Sequence, residues 1–168
     1  MAITKKVTKR RKVAKRAKPK TRARSTKPND ALARNMISKA VDAILKTVAE
    51  DPALKRAYFK KLDFTPASLR AIDAFIKDVW AGERPSEQGF DKMVLAFGGY
   101  VAEVVQRKHE GFWAKSGSHY EFHCTKSGKI TGFVVNPWSW VYERFDEGEL
   151  LAPKYATVMK MADNFAQA

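Results

Sequence analysis

EQGFDKMVLAFGGYVAEVVQRKHEGFWAKSGSHYEFHCTKSGKITGFVV, residues 87–135, changes its hydrophobic period part of the way along. From about Glu87 to His109, Phe90, Val94, Phe97, Val101, Val104 and Val105 recur at intervals of three and four, the spacing of one helical face. After Gly111 the period falls to two: Phe112-Trp113-Ala114, His119 to Thr125 and Ile130 to Val135 read as short strands, with Lys126-Ser127-Gly128-Lys129 as a hairpin turn. A long helix feeding a three-stranded antiparallel meander predicts an α+β domain. Gly98-Gly99 interrupts the helix, and each glycine costs about 1 kcal/mol relative to alanine. A close approach of another backbone is the expected compensation.

Outward from this stretch, both flanks read as helix. Leu32, Met36, Ile37, Ala40, Val41, Ile44, Leu45 and Val48 form a stripe over about Asp30 to Glu50, with Asn29 or Asp30 as its cap. Asp51-Pro52 ends it and opens a short helix carrying Leu54, Tyr58, Phe59 and Leu62. Thr65-Pro66 supplies the next start, and Leu69, Ile72, Phe75, Ile76 and Val79 its buried stripe before Gly82. On the C-terminal side, Pro137 to Asp146 and about Ala152 to Ala166 complete the set. The expected organisation is a disordered basic tail over residues 1–28 and a single globular domain over 29–168. In that domain N-terminal helices lead to the Gly-Gly helix, the small sheet and the C-terminal helices.

The run Phe97-Gly98-Gly99-Tyr100-Val101-Ala102-Glu103-Val104-Val105, then Gly111-Phe112-Trp113, the hairpin, and Asn136-Pro137 through Arg144-Phe145 to Gly148 resemble a group of small uncharacterised bacterial α+β domains. In that group a Gly-x-Tyr-Val-Gly-Glu helix precedes a tryptophan and a short meander. Ala102 stands where the pattern usually has glycine. The resemblance covers about 50 to 70 residues. It implies a fold and carries no activity with it.

Charge divides the chain sharply. Thirteen of its 32 Lys and Arg, and none of its 18 acids, lie in residues 1–28, which leaves nineteen against eighteen in the remainder. The formal charge of +14 is therefore almost wholly a property of the tail. MAITKKVTKRRKVAKRAKPKTRARSTKP has no aromatic residue and too little apolar surface to offset its ordering entropy, so it should be disordered when free. Its Lys/Arg/Ala/Thr/Pro mixture resembles the tails of linker histones and bacterial histone-like proteins. The expected partner is DNA or structured RNA, held nonspecifically by Lys5, Lys6, Lys9, Arg10, Arg11, Lys12, Lys15, Arg16, Lys18, Lys20, Arg22, Arg24 and Lys27. Nothing in the tail offers base readout. Lys9-Arg10-Arg11-Lys12 would also serve as a nuclear address, and a solubilising tail without a dedicated partner is the blandest alternative.

No apolar run is long enough to span a bilayer, and none follows the N-terminal charges as a secretory signal requires. A single cysteine, Cys124, suits a reducing compartment. The expected setting is cytoplasmic or nucleoid-associated, or nuclear in a eukaryote, with no membrane insertion.

The candidate sites in the domain are few. Glu103 lies one turn beyond Gly99 and could be a buried carboxylate at the helix–sheet junction. His119, Glu121 and His123 share one face of the second strand, opposite Tyr120, Phe122 and Cys124. His119 with Glu121, or Glu121 with His123, could meet on one metal, but the histidines sit about 13 Å apart and a third ligand would have to come from elsewhere. An ordinary solvated sheet face is the simpler reading, with no cofactor implied. Cys124, set among aromatics, reads as an inert buried thiol. Trp113, Trp138 and Trp140 should cluster, as core or as the rim of a partner groove. Two functions follow. One is a nonenzymatic nucleic-acid-associated protein whose domain binds a protein or small ligand. The other is an enzyme or immunity-type module using Glu103 or the His119/Glu121/His123 face, with the tail as address.

Overall fold

A computed structural model describes residues 28–81 and 85–165, and there the change of period falls where the sequence places it. The Gly-Gly helix, α4, runs Glu87–Lys108, and the strands are β1 Gly111–Ser116, β2 His119–Lys126 and β3 Lys129–Val135. Before them come α1 Pro28–Glu50, α2 Pro52–Ala57, a 3-10 turn Pro66–Ser68 and α3 Leu69–Ala81; after them come α5 Pro137–Asp146 and α6 Leu151–Phe165. Among the described residues this makes six helices and one sheet, an α+β domain.

The sheet is an antiparallel meander in the order β1-β2-β3, with Trp113 opposite Phe122 and Phe122 opposite Val135. All three of these are buried. The β2–β3 turn is tight because Ser127 and Gly128 both take positive φ (52° and 80°), as a two-residue type I′ turn demands.

α1 lies antiparallel along α4: Arg34 reaches Gln106 near one end of the contact, and Ala40 meets Gly99 further along. Ile37, Val41, Ile44 and Val48 face inward, while Leu32 and Leu45, read from the sequence as part of the same stripe, are exposed. An arc that wide exceeds what one neighbouring helix covers, so its edge is left on the surface. α3 buries Leu69, Ile72 and Ile76 almost completely, each contributing about 1.5–3 kcal/mol.

Three local expectations are corrected. Asn29 and Asp30 do not precede the first helix, since α1 already opens at Pro28 and both lie in its first turn. Asp30, 4% exposed, instead accepts from the Trp113 backbone N–H (2.8 Å) and from Arg34 Nε (2.9 Å), tying the start of α1 to the first strand. α2 ends at Ala57, so Tyr58, Phe59 and Leu62 lie beyond it; Phe59 is nevertheless buried. Thr65 stands at the N-cap with Pro66 at the first helical position, as expected, but makes no side-chain cap bond; its hydroxyl is turned to Asp63 (2.6 Å), and the helix that Pro66 begins is a 3-10 turn that leads into α3.

One buried pair fastens the C-terminal helices to α3. Asp73 and Arg144 are each 7% exposed and joined Nε to Oδ1 at 3.2 Å. The Asp73 carboxylate also accepts the backbone N–H groups of Leu151 (2.9 Å) and Ala152 (3.2 Å), the first two residues of α6. A side chain from α3 therefore caps α6 from across the fold.

Candidate functional site

The thirteen tail cations, from Lys5 to Lys27, lie outside the described residues. The sites expected in the domain lie within them.

Glu103 does sit at the helix–sheet junction, with 17% of its side chain exposed, so it is neither fully buried nor solvent-facing. Both carboxylate oxygens are taken from its own helix: Gln106 Nε2 donates to one, and Arg107 Nε to the other. Gln106 uses its carbonyl oxygen to accept from Trp113 Nε1 (2.9 Å) and Arg34 Nη1 (3.0 Å). Asp30, Arg34, Gln106, Glu103 and Trp113 thus form one polar network that joins α1, α4 and β1. Such a network holds elements in register, and it engages both carboxylate oxygens of Glu103. Arg107 continues outward and lies 3.9 Å from the Phe64 ring centroid. Phe64 has a φ of 56°, unusual for a bulky residue, and is held there by stacking on Tyr100 (5.0 Å) and by its N–H donating to the Tyr100 hydroxyl (3.1 Å).

The tryptophans separate in role. Trp113 is fully buried and packs edge-on against Trp138 at 5.7 Å, while Trp140 is 5% exposed. Trp138 lies in the space left by Gly98, where a Cβ would come within 2.3 Å of its Cδ1. Its indole N–H donates to the Leu95 carbonyl (3.3 Å). The close approach expected at the glycines therefore exists, but at Gly98 it is an indole ring and at Gly99 the methyl group of Ala40, at 2.4 Å from a would-be Cβ. Only at Gly98 is the gap filled by a side chain alone; at Gly99 the backbone of α1 also comes close, with Ala40 Cα and the Ile37 carbonyl oxygen each 3.7 Å from the would-be Cβ.

On the outer sheet face His119 Nε2 lies 3.1 Å from Glu121 Oε1. His123 turns to its cross-strand neighbour and stacks on Phe112 at 5.2 Å, which places it in a ring contact. Among the described residues no group of three or more His, Cys, Asp or Glu is arranged to hold a metal. On the opposite face Phe122 and Cys124 are buried and Tyr120 half-buried, as alternation requires. Burial pushes the Cys124 thiol up to about 11, with Asp163 adding to the rise, so it is protonated near neutrality.

One concavity was not read from the sequence. Between α1 and α4 lies a groove of about 720 Å³ with Ile44, Val48, Phe59, Phe75 and Phe97 among its lining. Phe59, Phe75 and Phe97 form a mutually packed group, with ring centroids 5.3 to 6.5 Å apart. Its only charged lining residues are Lys39 and Lys92, and among the described residues neither belongs to an ion pair. The signal was present in the over-wide apolar arc of α1. Periodicity alone assigns such an arc to the core, since it does not show which neighbours are available to cover it.

Comparison with known protein families, curated proteins and solved structures returns no match, so the chemistry has to be read from the residues themselves.

Proposed function

We propose that this protein is a nonenzymatic nucleic-acid-associated protein whose tail holds DNA or structured RNA by its phosphates while the folded domain binds a further ligand. The observation that carries the reading is the partition of charge. Residues 1–28 hold thirteen cations and no acid, and the rest of the chain is within one charge of neutral. Counterion release from a polyanion is the driving term for such a segment, and it demands no fixed geometry from the tail. The state of the candidate catalytic groups supports the nonenzymatic half of the reading: Glu103 is bonded on both oxygens and the Cys124 thiol is raised to about 11 by burial. The setting that fits is nucleoid-associated, or nuclear in a eukaryote.

Anisotropy titrations with labelled duplexes and RNA hairpins of unrelated sequence test this. Affinity should be indifferent to sequence and should fall by about 10³ to 10⁵ between about 50 and 200 mM salt if six to ten phosphates are engaged. Replacing Lys9, Arg10, Arg11 and Lys12 by glutamine should lower the salt slope by about 3 to 4. Binding that is sequence-selective, insensitive to salt, or unchanged after removal of residues 1–27 would overturn the proposal.

A further inference from the structure

We propose that the α1–α4 groove binds an anionic amphiphile, a single unbranched hydrocarbon chain ending in a carboxylate. This specifies the ligand of the folded domain in the reading above and does not depend on the tail.

The shape comes first. The lining extends along α1 from Leu32 to Val48, about 24 Å at 1.5 Å per residue, so the site is long for its volume of about 720 Å³. An extended hydrocarbon chain laid along it would be in van der Waals contact with its walls over that length. The volume also lies in the range of about 300–1,000 Å³ usual for small-molecule sites.

The lining then restricts the chemistry. Polar side chains other than the lysines are limited to Asn35 and Thr47, and the Thr47 hydroxyl already donates to the Ala43 carbonyl (2.9 Å). A sugar, nucleotide or other polyhydroxylated ligand would lose its hydrogen bonds to water there and regain almost none. A hydrocarbon has none to lose. Met36 and Met93 add unbranched, adaptable walls of the kind that follow a flexible chain.

The charge fixes the head group. Lys39 and Lys92 are exposed, the lining contains no Asp or Glu, and neither ammonium is neutralised by the described residues. A carboxylate complements them, a neutral head leaves them as they are, and a cationic head is repelled.

The test is calorimetric titration of the full chain with dodecanoate, dodecanol and dodecyltrimethylammonium below their aggregation thresholds, in salt sufficient to screen the tail. The expected result is saturable one-to-one binding of dodecanoate, tighter than that of the alcohol, and no binding of the ammonium. Ala43→Trp and Ala96→Phe, on opposite walls, should each weaken dodecanoate at least about tenfold by filling the slot. Circular dichroism identifies either variant that fails to fold, and the other then carries the test. Lys39→Gln with Lys92→Gln should weaken dodecanoate about 3- to 20-fold and leave dodecanol unchanged. All these variants keep the tail, so their nucleic-acid affinity should equal that of the wild type, and failure of either reading is seen separately. The proposal is overturned by absence of saturable binding, by equal affinity for the three head groups, or by binding that the filling substitutions do not reduce. It is equally overturned if those substitutions abolish self-association in the absence of dodecanoate, since a second copy would then be the occupant.

Discussion

A hydrogen atom in place of a methyl group at position 99 decides how closely α1 and α4 approach. A Cβ there would stand 2.4 Å from that of Ala40, which is fixed to its helix and cannot swing aside. Gly99→Ala should therefore destabilise the protein by about 1–3 kcal/mol through overpacking, against the gain of about 1 kcal/mol in helix propensity. Urea denaturation would register the loss, and Ala40→Gly in the same chain should restore part of it. If Gly99→Ala were stabilising, the helices would not be in this contact. His109 offers a second single-residue test. Burial lowers its pKa from the usual 6.5, opposed in part by Asp163, and its Nε2 lies 3.0 Å from the Tyr155 hydroxyl. With the folded value below the unfolded one, the unfolded chain takes up its proton first as pH falls. Stability is complete above about 6.5 and declines below it, towards the depressed folded value. Melting temperature should fall between about pH 7.5 and 5.5, and His109→Gln should flatten that slope. The glycine contact was half legible in the sequence. A pair of glycines inside a helix announces a close neighbour, but which side chain arrives depends on a segment forty or sixty residues away.

Helix boundaries followed local chemistry closely where that chemistry was self-contained. Asn136 caps α5 by accepting from the backbone N–H groups of Trp138 and Ser139, and Asp51 caps α2 in the same way through Ala53 and Leu54. Both could be read from Asn-Pro and Asp-Pro. The start of α6 was read to within a residue, at about Ala152 against Leu151, but its cap could not be, because its first amides are satisfied by Asp73, 78 residues upstream of Leu151. Nor could the split of the α1 stripe into a buried side and a groove wall, which depends on how far α2 and α3 reach across it. Asp73→Ala removes the cap and leaves Arg144 buried without its partner, so it should cost about 3–5 kcal/mol. In that background Arg144→Met should recover a substantial part of the loss, and the denaturation midpoints of the two single variants and the double variant measure the coupling. Additive effects would mean that the two side chains act independently.

As a whole, the described residues close a core without outside help. Ile37, Ile72, Val101, Trp113, Phe122, Val141 and Leu151 come from six helices and strands and the start of a seventh, yet all are at most 1% exposed within one cluster. Removal of residues 1–27 should leave a single cooperative unfolding transition, and a chelator should leave its midpoint unmoved. A chelator-induced fall reproduced by His119→Ala or His123→Ala would return those residues to a metal. No helix among the described residues is long and apolar enough to cross a membrane. The junction with residues 1–27 has a mechanical aspect. Tension applied at Pro28 meets the described fold at the first residue of α1. The first bonds to bear the load are those from Asp30 to the Trp113 amide and from Arg34 to Gln106, spanning 83 and 72 residues of sequence. A tug on Pro28 is thereby spread at once over a helix and a strand from the other half of the sequence, α4 and β1, and α1 is clamped at the very end from which it would otherwise begin to unravel.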